Sequence, residues 1–374
     1  VLPFAEIART AADQLDFVRE QVRTYALAES PTRELEALAA CADLVVAGHA
    51  DTGGRTRRVP SANGDHLVTT WGPDNGEHLL LVGHYDTVWP IGRLPYVDDG
   101  ERIAGPGVYD MKSGLVVIEA ALKTLALLGI PLTRQVRLVV IADEEIGSPT
   151  GRAVVEAELA GAVAVLGFES PHPGGVLKSG RRGSTRVRLN VEGREAHAAL
   201  DPDKGVSAID ELVDQLAAVR KLIPDDGTTL ANVGTIAGGG RANVIAGSAS
   251  AELGLRFTTL EAEQRVLRAL DALSPVREGA NVTVVRLSHR PAWSPPEPNP
   301  LLNKVIEVGA ALGQEISGKP AAGAGDTNLT GAAGVPTLDG FGPHGQGAHA
   351  PDESVVVSTI PDRIALTAAL LASL

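Results

Sequence analysis

Cysteine is nearly absent from this chain. Its single Cys41 excludes an internal disulfide framework and any thiolate-rich zinc cluster. Aromatic residues make up only 3%, so a core must be built from Ala, Val, Leu and Ile, with 42 glycines and 24 prolines supplying tight turns. No apolar run approaches about 20 residues, so no segment reads as a membrane-spanning helix. Basic residues are outnumbered, 33 against 46 acidic, for a formal charge of −13. That balance argues against a nucleic-acid backbone or an anionic membrane surface as the main partner. No signal peptide is legible after Val1, so a cytoplasmic protein is expected; the missing Met leaves a trimmed start, and with it a secreted or periplasmic location, open. What is present suffices for a large core: 44% hydrophobic residues over 374 positions, roughly two to three typical domain lengths.

Leu15, Val18, Val22 and Tyr25 recur at 3-4-3 spacing and predict an amphipathic helix that stops near Ser30-Pro31. Three short apolar runs then end in polar clusters: His78–Val82 before Gly83-His84-Tyr85-Asp86, Arg137–Ile141 before Asp143-Glu144-Glu145, and Val163–Phe168 before Glu169. Such runs read as strands of a sheet covered on both faces. Leu115, Ile118, Leu122 and Leu125 place a helix between the first two, so an α/β layered domain is expected, with function beyond the carboxyl ends of its strands. After about residue 180 the period changes to two: Val187, Leu189 and Val191 alternate with Arg186, Arg188 and Asn190. A helix on Val206, Ile209, Val213 and Leu216, two strands, a helix on Val266, Leu270 and Leu273, and a strand from Asn281 to Leu287 follow. The order β-α-β-β-α-β is that of a ferredoxin-like unit. It predicts a small domain at 181–289 inserted into a discontinuous larger one, 1–180 and 290–374, with a five-proline stretch from Pro291 to Pro300 at the junction. The larger domain resumes with helices around Val305–Leu312 and Ile364–Leu371.

The chemistry-bearing residues collect at the predicted strand ends. His84 carries a carboxylate, Asp86, two positions on, a partner able to orient its ring; alone, it reads as a structural or surface histidine. Gly105-Pro106-Gly107-Val108-Tyr109-Asp110-Met111-Lys112-Ser113 opens a helix, but Met111 and the charge of Asp110 argue against a phosphate loop. Asp110 reads as a helix cap or as a bridge between two cations. Asp143-Glu144-Glu145 places three repelling carboxylates at a buried strand end, which a cation would compensate and a solvated turn would tolerate. Glu169 and His349 add a carboxylate and an imidazole. Together His84, Asp110, Glu145, Glu169 and His349 fit two divalent ions sharing a carboxylate, with Glu144 as the spare general base.

These fragments, in this order, resemble the co-catalytic zinc family of aminoacylases, deacylases and glutamate carboxypeptidases. The likeness rests on Gly83-His84-Tyr85-Asp86-Thr87-Val88, Gly105-Pro106-Gly107 through Lys112, Asp143-Glu144-Glu145-Ile146-Gly147-Ser148, Glu169, and Gly347-Ala348-His349-Ala350-Pro351-Asp352-Glu353, with Glu29-Ser30-Pro31-Thr32 near the start. The resemblance implies a zinc-exopeptidase-like α/β catalytic domain with a central mixed sheet, plus a ferredoxin-like lid that also dimerises. It implies that His84 and Glu169 hold one zinc, that Glu145 and His349 hold the other, and that Asp110 bridges them. By the same likeness Asp86 orients His84, Glu144 is the base, His197 supports the tetrahedral intermediate, and Asn243 and Arg256 bind the substrate carboxylate. Cobalt or manganese would suit the same donors. Two departures stand out. Ala199 occupies a position that is usually glycine, and Gly325-Asp326-Thr327-Asn328 replaces the usual arrangement, so no substrate role is given to that segment. An ion pair with Glu252 is the competing reading of Arg256, and His172 and His344 read as turn residues.

The function implied is metal-dependent hydrolysis of the amide of a peptidyl or N-acyl amino acid with a free carboxylate. Leu177-Lys178-Ser179-Gly180-Arg181-Arg182-Gly183 points to the glutamate-carboxypeptidase branch. N-acyl-amino-acid deacylation is the alternative, and a catalytically silent binding relative is a third reading that the full ligand set disfavours. A homodimer is expected from the resemblance alone.

Overall fold

The computed structural model describes residues 2–294 and 297–374, so Pro295 and Pro296 of the proline-rich stretch lie outside the described residues. The chain divides into two compact units: Val1–Gly180, Pro295–Ala321 and Gly325–Leu374 form one, and Arg181–Ser294 with Ala322–Ala324 the other.

In the larger unit, β1 (Arg55–Val59), β2 (His66–Trp71), β3 (His78–His84), β4 (Gln135–Ile141) and β5 (Ala162–Gly167) lie in the sheet order β1-β2-β4-β3-β5, and the short strand Thr337–Leu338 closes the far edge. β3 runs parallel to both β4 and β5, while β2 is antiparallel to β4, so the sheet is mixed. Parallel neighbours need long crossovers. Helix α4 (Ser113–Leu127), counted after α1 (Phe4–Ala12), α2 (Leu15–Leu27) and α3 (Leu35–Asp51), supplies the one between β3 and β4. The carboxyl ends of β3, β4 and β5 therefore line one edge of the sheet, with β3 between the other two. Every residue of β3 is buried. Leu79 and Leu81 join a core under the helices, whereas Leu80 and Val82 join a second core on the opposite face with Val139, Ile141 and Val165. Two apolar faces explain why these strands read as unbroken apolar runs.

Helix α2 buries Val18, Val22 and Tyr25, as its spacing predicts, and stops at Leu27. Its exposed carbonyls are met from inside the protein: the fully buried Lys112 donates from Nζ to Tyr25 O at 2.8 Å and to Ala28 O at 2.9 Å. Burial pushes this ammonium's pKa down, and Cys41, Glu353 and Glu29 offset that only in part.

In the smaller unit, β6 (Gly183–Glu192), β7 (Thr229–Gly238), β8 (Ser248–Phe257) and β9 (Asn281–Arg290) form an antiparallel sheet in the order β7-β8-β6-β9. Two helices, Ala208–Leu222 and Leu260–Asp271, cross between them. Val187, Leu189 and Val191 of β6 and Leu253, Leu255 and Phe257 of β8 face the helices, and Arg186 and Arg188 face water. The first helix starts later than its apolar spacing predicts. Val206 instead exchanges two 2.9 Å backbone hydrogen bonds with Arg194, and Ser207 caps the helix by accepting the Asp210 N–H at 3.2 Å.

Candidate metal centre

His84 is the last residue of β3, so strand geometry alone carries it to the sheet edge. Its Nδ1 lies 3.0 Å from the backbone oxygen of Asp86 and 3.4 Å from that residue's Oδ1, which fixes the ring and turns Nε2 the other way. Around Nε2 stand Asp110 Oδ1 at 3.2 Å and Glu169 Oε1 at 3.3 Å. On the other side of Asp110, Oδ2 lies 3.2 Å from His349 Nε2, and that nitrogen is 2.9 Å from Glu145 Oε2. The structure thus gathers His84, Asp110, Glu145, Glu169 and His349 around one carboxylate that offers one oxygen to each imidazole. Asp110 makes no helix-capping hydrogen bond, which sets aside the cap reading.

Local backbone geometry serves this cluster. Gly107 takes φ +72°, and a Cβ there would stand 2.7 Å from the Thr87 methyl, so only glycine lets the Asp110 loop lie this close to β3. His349 itself sits at φ 61°, a left-handed conformation that costs a non-glycine residue about 1–3 kcal/mol.

The three consecutive acids divide their work. Asp143 turns away from the cluster: its Oδ2 accepts from the Thr150 N–H at 2.9 Å, the Thr150 hydroxyl at 2.6 Å and the Asn63 amide at 2.9 Å, and its Oδ1 from the Gly151 N–H at 3.1 Å. Glu144 and Glu145 turn back on a short 3-10 segment. Their backbone N–H groups donate to Asp86 Oδ1 at 3.1 Å and Oδ2 at 3.2 Å, and the Thr32 hydroxyl donates to the same Oδ2 at 2.8 Å. Asp86 is therefore a hub that joins the His84 strand end, the Glu144-Glu145 turn and the N-terminal segment. Its side chain is spent more on that turn than on the His84 ring. Sequence reasoning gave no role to Thr32 or to Glu353, although both lie inside the quoted fragments. Glu353 accepts backbone N–H groups of the Asp110 loop, and only the fold reveals that pairing.

The electrostatics are those of a site arranged for cations. Burial opposes charge on His84, yet Glu169, Asp110 and Asp86 outweigh it and raise its pKa well above the usual range. Hydrogen bonds to Asp110 and Glu145 lift His349 to about 10 against its partial burial. Asp110 is buried, which opposes its charge, but His349 and His84 hold its pKa far below the usual carboxylate range. Burial raises Glu145, and its Oε1 is a buried oxygen with no hydrogen-bond partner among the described residues. One ligand atom from each of His84, Asp110 and Glu145 lies within 4.8 Å of the others. Two imidazoles, three carboxylates and an orphaned carboxylate oxygen form a donor set that suits borderline divalent ions.

The remaining sequence candidates lie in the smaller unit. His197 is exposed, and its Nδ1 accepts the N–H groups of Ala199 at 3.2 Å and Leu200 at 3.1 Å, which leaves the ring proton on Nε2. Ala199 is not among the positive-φ residues and supplies one of those donors, so alanine serves in a position that is usually glycine. His197 bridges to Val244, and the Ala198 N–H donates to Asn243 O at 3.0 Å, so His197 and Asn243 are neighbours. Arg256 is exposed on β8. Glu252, the neighbour offered as an ion-pair partner for Arg256, pairs with Arg186 and Arg188 across the sheet, while Arg256 Nη1 donates to Leu255 O at 3.0 Å. In the larger unit, His172 Nε2 lies 3.3 Å from Lys319 O, and His344 packs half-buried beside Gly175.

Known proteins share this architecture and sequence. Residues 80–373 match the profile of Peptidase family M20/M25/M40. Carboxypeptidase G2 from a Pseudomonas species is 29% identical over 382 residues, covering 98% of this chain and 91% of that protein. A succinyl-diaminopimelate desuccinylase from Gluconacetobacter diazotrophicus is 28% identical over 316 residues, covering 78% and 79%. Among solved structures, the Bacillus subtilis YXEP protein, a dinuclear metal binding peptidase from the M20 family, superposes with a TM-score of 0.70 at 16% identity, covering 96% of this chain and 98% of that one. With a family profile spanning most of its length and an α/β fold built on a central mixed sheet, the chain belongs to Peptidase family M20/M25/M40.

Proposed function

We propose that this peptidase-family hydrolase uses two divalent metal ions to cleave the amide bond of a peptidyl or N-acyl amino acid bearing a free carboxylate, with glutamate-carboxypeptidase-like selectivity. The observation that carries the reading is Asp110, whose two oxygens each lie 3.2 Å from a different imidazole, those of His84 and His349. His84 and Glu169 would hold one ion, Glu145 and His349 the other, and Asp110 both. Zinc suits these donors best, with cobalt or manganese as substitutes. Such ions, when bound, polarise a scissile carbonyl and acidify a water between them.

The chain's own residues supply the rest. Glu144, held at the strand end through its N–H to Asp86, takes the proton of the attacking water and delivers it to the leaving amine. Asp86 orients His84 and anchors the Glu144-Glu145 turn. His197, with its proton on Nε2, donates to the developing oxyanion. Arg256 and Asn243 bind the free carboxylate, for which a planar guanidinium on a wet strand is well suited.

In this reading residues 1–180 and 290–374 are the catalytic domain and 181–289 an inserted lid that also forms a homodimer. Support for the dimer comes from the edge strand β7, where Leu230 and Ile236 are 53% and 65% exposed, and from Val213 at 59% on the adjoining helix. The likeness to carboxypeptidase G2 favours the glutamate branch, and the desuccinylase likeness supports the second reading, N-acyl-amino-acid deacylation. A hydrolysis screen of glutamate-terminated folate-like amides, dipeptides and N-acyl amino acids decides between them. The glutamate-terminated amides should be cleaved with the highest kcat/KM. Preference for succinyl or acetyl amino acids would replace the first reading with the second, and no hydrolysis with two metals bound would overturn both.

A further inference from the structure

The carboxylate of Glu353 is 1% exposed and carries four hydrogen bonds, all from neutral donors. Oε1 accepts the backbone N–H groups of Tyr109 at 2.9 Å and Asp110 at 3.0 Å. Oε2 accepts the Gly107 N–H at 3.2 Å and the Trp89 indole N–H at 2.5 Å. Burial raises the Glu353 pKa, and these donors offset that in part. No ion pair to Glu353 is found among the described residues, so the four donors stand in for solvent around a buried acid.

What these donors belong to matters more than their number. Three are the Gly107, Tyr109 and Asp110 amides of the loop that carries Asp110, whose own backbone (φ −125°, ψ 90°) is not helical although it lies inside a helical segment. Helix geometry therefore does not aim the Asp110 side chain. Glu353 itself closes the Gly347–Glu353 loop that carries His349, with its N–H donating to Ala350 O at 3.0 Å. The short ladder joining the two segments ends where Ser354 pairs with Ala104, and one further backbone bond runs from the Gly105 N–H to Glu353 O at 3.4 Å. Beyond it, the Glu353 side chain continues the link to Gly107, Tyr109 and Asp110.

We propose that Glu353 is a positioning residue that aims Asp110 between the two imidazoles and locks its loop to the His349 loop, so that the second of two metal ions depends on it. The proposal rests on the dinuclear reading above. A carboxylate is required because each oxygen accepts from two donors; a glutamine amide nitrogen would present hydrogens to two N–H groups.

The test is Glu353→Gln in the full chain, with zinc content measured by elemental analysis after dialysis and affinity by calorimetric titration with zinc alone. Wild type should bind two ions per chain. Glu353→Gln should retain one and bind the second about 10- to 100-fold more weakly, the range seen when groups that orient metal ligands are removed. Excess zinc should then restore turnover, with kcat recovering at an unchanged KM, which a general loss of packing would not allow. Two ions bound with wild-type affinity would overturn the proposal, as would a metal deficit that excess zinc does not rescue. If Glu353→Gln does not fold, Trp89→Phe removes a single donor from Oε2; a severalfold weaker second ion supports the proposal and an unchanged one overturns it. A wild-type chain that binds no zinc would instead sink the dinuclear reading, a result distinguishable from the failure of Glu353 alone.

Discussion

The two units solve the same problem, burying one apolar surface, with opposite consequences for chemistry. In the larger unit the sheet is covered on both faces, so polar side chains are driven to the strand ends, where backbone N–H groups and other carboxylates hold them. In the smaller unit one face stays wet, and its candidates His197, Asn243 and Arg256 are exposed side chains with few restraints. Apart from the exposed His349 ring, burial gives the first set strong mutual electrostatics and fixed geometry; exposure gives the second set freedom to meet a ligand.

Substitutions should separate these two kinds of residue. The largest effect is expected for Glu144→Ala, which should lower kcat by about 10²–10⁴-fold while zinc content stays at the wild-type level, as kinetics beside elemental analysis would reveal. Retained turnover would remove Glu144 from the role of base. His197→Ala, in the exposed set, should lower kcat by up to about 10²–10³-fold with metal content and melting temperature unchanged. Loss of metal in that variant would contradict the division between the units.

For stability the contrast should run the same way. Leu81→Ala in the two-sided core should cost about 2–5 kcal/mol in denaturant unfolding. Arg188→Ala, which breaks an exposed pair with Glu252, should cost no more than about 1 kcal/mol. The pH dependence of metal uptake sharpens the picture further. Asp110 and Glu145 lift His349 to about 10, so without a cation its ring holds a proton at neutral pH. A divalent ion must displace that proton, so binding releases protons and tightens as pH rises toward 10. Titration calorimetry in buffers of different ionisation enthalpy would measure the release, and zinc uptake without proton release would contradict it. A second pH effect concerns Glu119, buried beside Tyr25 and Gln21, whose pKa burial raises to about 8. Its folded pKa exceeds the unfolded one. The stability it contributes is therefore complete below about 4.5 and is lost as pH rises through 8. Glu119→Gln should flatten that slope in melting temperature.

Much of this was legible because the relevant physics is local. β3, β4 and β5 announced themselves as apolar runs bounded by polar residues, and three of the five clustered donors, His84, Glu145 and Glu169, sat where those runs end. The strand alternation of β6 and β8 was equally direct, since one wet face leaves a period of two. What stayed hidden depends on long-range pairing. Helix α3 has no sharp apolar stripe to betray it, and β2 is buried on five of its six positions despite two threonines and a histidine. Nor does spacing reveal that Asp143 turns toward Thr150 while its two neighbours turn toward Asp86, or that Glu353 reaches across 243 positions to Asp110.

Lys112 carries a consequence for how the molecule can be cut. Its buried ammonium has its carbonyl partners at Tyr25 and Ala28, and Thr32 reaches Asp86 from the same stretch of chain. The match to the family profile begins only at residue 80. A fragment trimmed to that region would keep every proposed metal ligand yet strand a bare cation in its interior, a defect costing several kcal/mol. The first eighty residues are therefore part of the enzyme's foundation, and an expression boundary drawn at the edge of the homology would yield an insoluble product.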